Sequence, residues 1–92
     1  MSEKRKKAAA LRYDHQRDIS PKVVAQGKGR TAEEIMKKAE EHGVPMLEDP
    51  TLVELLSELN INETIPEELY EAVAEVFAFV YELDKRAASE NF

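Results

Sequence analysis

A chain of 92 residues, 35% charged and 42% hydrophobic, makes one domain with a modest core, because a chain this short buries only about 60–65% of its unfolded surface. It has no cysteine, which excludes a disulfide scaffold and a cysteine-based metal site. The net charge of −6 is divided: residues 1–30 carry nine Lys/Arg against three Asp/Glu, and residues 31–92 carry four against sixteen. The basic segment therefore either touches an anionic surface or attracts the acidic remainder of its own domain.

The longest unbroken apolar run, residues 76–81, is too short to span a bilayer. The basic start (Lys4, Arg5, Lys6, Lys7) is followed by AAALRYD, too short and too polar for the apolar region of a secretory signal. A soluble, cytoplasmic protein without a membrane span is expected.

In chain order, residues 1–7 read as a flexible basic tail. Residues 8–14 form a strand candidate, with Leu11 and Tyr13 on one face and Arg12 on the other. HQRDISP connects it to a second strand at residues 22–26 (KVVAQ), whose adjacent Val23 and Val24 predict burial on both faces. Gly27 and Gly29 turn the chain into a helix opened by Thr31, with Glu34 completing a capping box. Ile35, Met36 and Ala39 face inward, His42 sits in the last turn, and Gly43 ends the helix. Residues 44–47 (VPML) predict a third strand, with Pro45 suited to an edge.

Asp49 caps the next helix, with Pro50 at its first position and Leu52, Leu55, Leu56 and Leu59 as its apolar stripe up to Asn60. Thr64, Glu67 and Pro66 open the final helix. That helix, residues 65–83, is the most strongly periodic segment. Leu69, Val73, Val76, Val80 and Leu83 line up one face for the core, and Glu67, Glu71, Glu75 and Glu82 lie opposite. Between them runs a second apolar row, Tyr70, Ala74, Phe77 and Tyr81, which exceeds what one core-facing stripe needs. Residues 8–84 thus form the domain and residues 85–92 a frayed tail. The order β-β-α-β-α-α predicts an α+β (α/β-like) fold. Its small mixed sheet has three to four strands, with residues 44–47 parallel to residues 22–26 through a right-handed crossover and helices packed around.

Catalytic chemistry finds little support. GKGRT, between strand and helix, could hold an anion, but it matches neither the Walker pattern nor the dinucleotide pattern, so its glycines are read as a tight turn. His15, with Asp14 and Asp18, is a poor metal site in a polar loop, and His15 and His42 support no Ser/His/Asp set. No enzyme activity, cofactor, metal or small-molecule substrate is expected. Nucleic-acid binding would rest on the short basic N-terminus alone, against an acidic body.

Three stretches, LRYD with SPKVVAQGKG, EEHGVPMLEDPTLVELL and IPEELYEAVAEVFAFVYEL, together resemble the cytoplasmic domain of the FlhB/YscU family, export-switch components of flagellar and virulence type III secretion systems. The resemblance covers residues 8–83 and implies a small sheet surrounded by helices. Family members carry a four-helix membrane domain ahead of this one, expected to be missing here. They also carry an NPTH tetrapeptide before the first strand, whose Asn cyclises and cleaves its own backbone. The corresponding positions read Glu3, Lys4, Arg5 and Lys6, so self-cleavage is not expected and the chain resembles the downstream fragment as a free-standing protein.

The resemblance also implies an apolar patch that receives export substrates, falling here on Ser20, Pro21, Ala74 and Phe77. Ser20 is more polar, and Phe77 larger, than is usual there. With Tyr70 and Tyr81 from the same helical row, these residues are the candidate partner site. The expected function is a protein-binding module for export-apparatus proteins or export substrates, as a monomer. Two alternatives stand beside it. Ala74 and Phe77 are core, covered by another helix, or the row is a homodimer seam or the contact of an unrelated partner outside export.

Overall fold

A computed structural model describes residues 6–14, 16 and 20–90, with side chains through residue 83. Two strands, β1 (Lys7–Arg12) and β2 (Lys22–Lys28), are followed by three helices, α1 (Arg30–Glu41), α2 (Pro50–Leu56) and α3 (Tyr70–Glu90). The strands pair antiparallel from Lys7 against Lys28 to Arg12 against Lys22, with an irregularity between Ala10 and Leu11. Lys7 therefore belongs to the sheet, and the carbonyl of Lys6 accepts from Gly29 N–H at 2.7 Å. The rest of the expected basic tail, residues 1–5, lies outside the described residues.

The α+β class holds, but among the described residues the sheet is smaller and simpler than expected: two antiparallel strands, and no parallel crossover. Residues 44–47 form no strand; Val44, Met46 and Leu47 are each about half exposed. Pro45 has no N–H to give a ladder, and β2 takes its second neighbour from elsewhere. Asn62 N–H donates to Val23 O at 2.7 Å and Ile65 N–H to Pro21 O at 3.2 Å, with an antiparallel bridge between Lys22 and Thr64. This strap of residues 62–65 lies along β2 where a third strand would.

Local signals shape the helices. Gly29, at φ 59° and ψ −125°, caps α1, and Gly27 lies so close to Thr31 that any Cβ on it would overlap that side chain. Thr31 therefore lies inside the first turn, and the expected capping box with Glu34 does not form. His42 is the C-cap. Gly43 follows at φ 68°, its N–H to Glu40 O and Val44 N–H to Ala39 O, the paired bonds of a Schellman ending. Asp49 caps α2 as expected, its carboxylate accepting from Leu52 N–H at 3.0 Å with Pro50 next. α2 stops at Leu56, earlier than Asn60, and Leu55 is 42% exposed.

The last segment opens with a 3-10 turn at Glu67–Leu69 after Pro66. Thr64 is held in its bridge to Lys22, so no Thr64–Glu67 box forms. α3 then runs past Leu83 to Glu90, further than the expected end.

The core is Val23 from β2, Leu52 and Leu56 from α2, Ile65 from the strap and Val73 from α3, with Ala9, Leu11, Leu59, Leu69, Val76 and Phe77 packed around it. Burying each Leu or Ile contributes about 1.5–3 kcal/mol. Of the five residues expected to face the core from α3, Val73 is buried and Leu69, Val76 and Val80 are partly so. Leu83 is 37% exposed, because it lies toward the far end of the helix, away from the residues that form the core.

Candidate functional site

The surplus apolar row of α3 borders an open groove of about 370 Å³. Ser20 and Pro21, at the start of β2, form one wall together with Tyr13, which follows β1. Tyr70, Ala74 and Phe77 of α3 form the other, and Ile65 and Val73, almost wholly buried, make the floor. The strap sets the spacing between the walls. Its bond from Ile65 N–H to Pro21 O ties the start of β2 to the chain five residues before α3.

Five of the six candidate site residues thus come together. Ala74 is exposed, Tyr70 is 47% exposed, and Pro21 and Phe77 are partly buried. Phe77 also packs against the core, so the two readings of this residue, surface and core, both describe part of it. Ser20 is buried. Tyr81, 64% exposed, stands further along α3 and does not line the groove.

Tyr13 is the contributor that the sequence did not single out for this site. Its ring meets that of Phe77 edge to face, centroids 5.9 Å apart. The only sequence signal was an aromatic residue at the end of a strand, with nothing to connect it to a helix more than sixty positions away.

Among the described residues no charged side chain lines the groove, and its polar side chains are those of Ser20, Tyr13 and Tyr70. Glu54 of α2, whose carboxyl the Lys7 ammonium holds below the ordinary glutamate range, is not part of the groove. No cluster of three His, Cys, Asp or Glu is placed to hold a metal ion among the described residues. His15, Asp18 and the positions corresponding to a cleavage tetrapeptide up to Arg5 lie outside the described residues. No helix among the described residues is long and apolar enough to cross a membrane.

Comparison with known proteins places this geometry. The family model described as the FlhB HrpN YscU SpaS family matches residues 5–80. The chain belongs to that family. Among its relatives, Bacillus subtilis YlqH is 54% identical over 86 residues, covering 94% of this chain and 92% of YlqH. The Salmonella typhimurium flagellar biosynthetic protein FlhB is 44% identical over 79 residues, covering 85% of this chain but only 21% of FlhB. The chain therefore matches about a fifth of that longer relative. The cytoplasmic domain of FlhB from Shewanella putrefaciens superimposes with a TM-score of 0.86 at 31% identity, covering 90% of this chain and 65% of that structure. The PscU C-terminal domain gives 0.75, also at 31% identity, covering 80% and 95%. The fold is thus that of the FlhB/YscU cytoplasmic domains.

Proposed function

We propose that the chain is a protein-binding module of flagellar or type III protein export, working in the cytoplasm. In this reading it takes a short apolar segment of an export substrate or export-gate component into the groove between Pro21 and α3. The observation that carries it is the joining of Ser20, Pro21, Ala74 and Phe77 on one concave surface whose described lining carries no charge. Membership of a family whose longer members include flagellar biosynthetic proteins supports the export context. A contact this small implies weak binding, in the micromolar range or about −8 kcal/mol.

The reading includes no self-cleavage, since Glu3, Lys4, Arg5 and Lys6 offer neither an Asn side chain to cyclise nor a following Pro. Mass spectrometry of the purified chain should find one intact species, and a fragment pair broken near these residues would refute that part.

The binding test is a pull-down with flagellar rod and hook proteins, comparing wild type with Ala74→Asp and Phe77→Asp. Both should lose binding, because a carboxylate buried by an apolar ligand is unpaired. Ala74 is exposed, so its substitution leaves the fold intact, whereas Phe77 also supports the core. Undiminished capture by a folded Ala74→Asp variant would sink the proposed site.

A further inference from the structure

Among the described residues β1 is an open edge of the sheet: the strap of residues 62–65 lies along β2, and β1 pairs with β2 alone. The bond from Gly29 N–H to Lys6 O fixes the phase of the ladder. Antiparallel alternation, carried through the pairs Ala8–Gly27 and Ala10–Ala25, turns the N–H and C=O of Lys7 and Ala9 away from β2. No hydrogen bond to these groups from another described residue is present.

Natural edges are usually blunted by proline, an inward charge, a bulge or a covering element. Here the middle of the strand is Ala8, Ala9 and Ala10, all partly exposed, and the register irregularity comes only after Ala10. Next to its start lies a second hollow of about 340 Å³, lined by Met36 and Met46 together with Lys6, Lys37, Glu33 and Glu40. Methionine walls adapt to varied apolar side chains.

Charge selects the occupant. Residues 4–12 contain Lys4, Arg5, Lys6, Lys7 and Arg12 and no carboxylate, in a chain whose net charge is −6. A second copy adding antiparallel about a two-fold at Ala9, the register that the outward groups of Lys7 and Ala9 allow, would set Lys6 opposite Arg12, a destabilising like-charge pair. An extended segment with acidic ends meets attraction at the same positions. We propose that the outer edge of β1 accepts, as an added strand, an extended acidic segment of another protein, with the methionine-lined hollow beside it receiving an apolar side chain. This edge shares no lining residue with the groove above and does not depend on the function proposed for it.

The test titrates the isotope-labelled full chain with a blocked peptide of about seven residues, Val and Thr alternating between terminal glutamates. The Lys7 and Ala9 amides should shift, and exchange of the Ala9 N–H should slow at least about tenfold at saturation. The same peptide with terminal lysines should bind at least about tenfold more weakly, and added salt should narrow that gap. N-methylation of the peptide groups that face β1 should abolish binding, and so should Ala9→Pro, which removes the outward N–H. Should that variant unfold, the methylated peptide on the unaltered protein decides. The proposal is overturned by any of four results: no binding of the acidic peptide, equal binding of the lysine-ended or methylated one, slow exchange of the Ala9 N–H before peptide is added, or shifts centred on Pro21, Ala74 and Phe77.

Discussion

The rings of Tyr13 and Phe77 meet edge to face, centroids 5.9 Å apart and planes inclined by 64°. This contact joins the chain just after β1 to α3 within the lining of the apolar groove, so core packing and the proposed binding surface share the same pair. Such pairs contribute about 0.5–1.5 kcal/mol beyond the area they bury. A double-mutant cycle of Tyr13→Leu and Phe77→Leu, read by urea unfolding, should give a coupling energy in that range. A coupling indistinguishable from zero would mean that the rings are neighbours without energetic consequence.

Two glycines should fail in different ways when replaced by alanine. At Gly27 the new Cβ would overlap Thr31 Cγ2 and stand 2.7 Å from its Cβ. Gly27→Ala should destabilise by about 1–3 kcal/mol, as overpacking does. Thr31→Ser should restore only part of this, since it removes the nearer of the two clashing atoms. At Gly43 nothing lies within 4 Å, but φ is +68°. Gly43→Ala should cost about 1–2 kcal/mol through torsion alone, and no neighbouring substitution should rescue it. Thermal melts of the variants separate the two mechanisms.

Removing the cap of α2 should be felt in the core, because Leu52 and Leu56 of that helix are two of the five residues of the central cluster. Asp49→Ala deletes the acceptor of the Leu52 N–H and should lower stability by about 1 kcal/mol. Asp49→Ser should retain most of it. Equal losses in the two variants would show that the carboxylate matters for some reason other than capping.

The Glu54 carboxyl should titrate below the ordinary glutamate range. The Lys7 ammonium donates to it at 2.6 Å and attracts it electrostatically, with a smaller attraction from Lys28. A folded-state pKa depressed in this way adds stability above the unfolded-state value, and that stability is lost as pH falls through the folded value. The window therefore lies at acid pH, below the normal glutamate midpoint, and the effect is small because the carboxylate is open to solvent. Titration of the Glu54 side chain by NMR should show the lowered midpoint, and Lys7→Ala should return it toward normal. An unchanged midpoint in that variant would exclude Lys7 as the cause.

Features written in adjacent residues were legible in the sequence. The Asp49–Pro50 start of α2 and the Gly43 ending of α1 are local chemistry, and both stand where the residues put them. The capping boxes at Thr31 and Thr64 obey the same local rule but were overridden. Gly29 starts α1 ahead of Thr31, and Thr64 is held in its bridge to Lys22. The third strand failed because VPML looks like a buried strand, whereas the real neighbour of β2 is the polar stretch around Asn62 and Thr64. It is held by backbone bonds that side-chain patterns do not encode. Within the groove, the apolar row of α3 was visible from its spacing, and Ser20 and Pro21 were found by resemblance to the family. Tyr13 was missed because its partner lies far along the chain.

The bond from Ile65 N–H to Pro21 O has one further consequence. Because it ties the start of β2 to the chain leading into α3, moving the backbones of the two walls apart works against a link next to a floor residue that is 2% exposed. In the proposed binding role the groove would then act as a gauge, favouring slim segments over ones that spread its walls. The rate at which the Ile65 amide exchanges with solvent would then report how often the gauge is open.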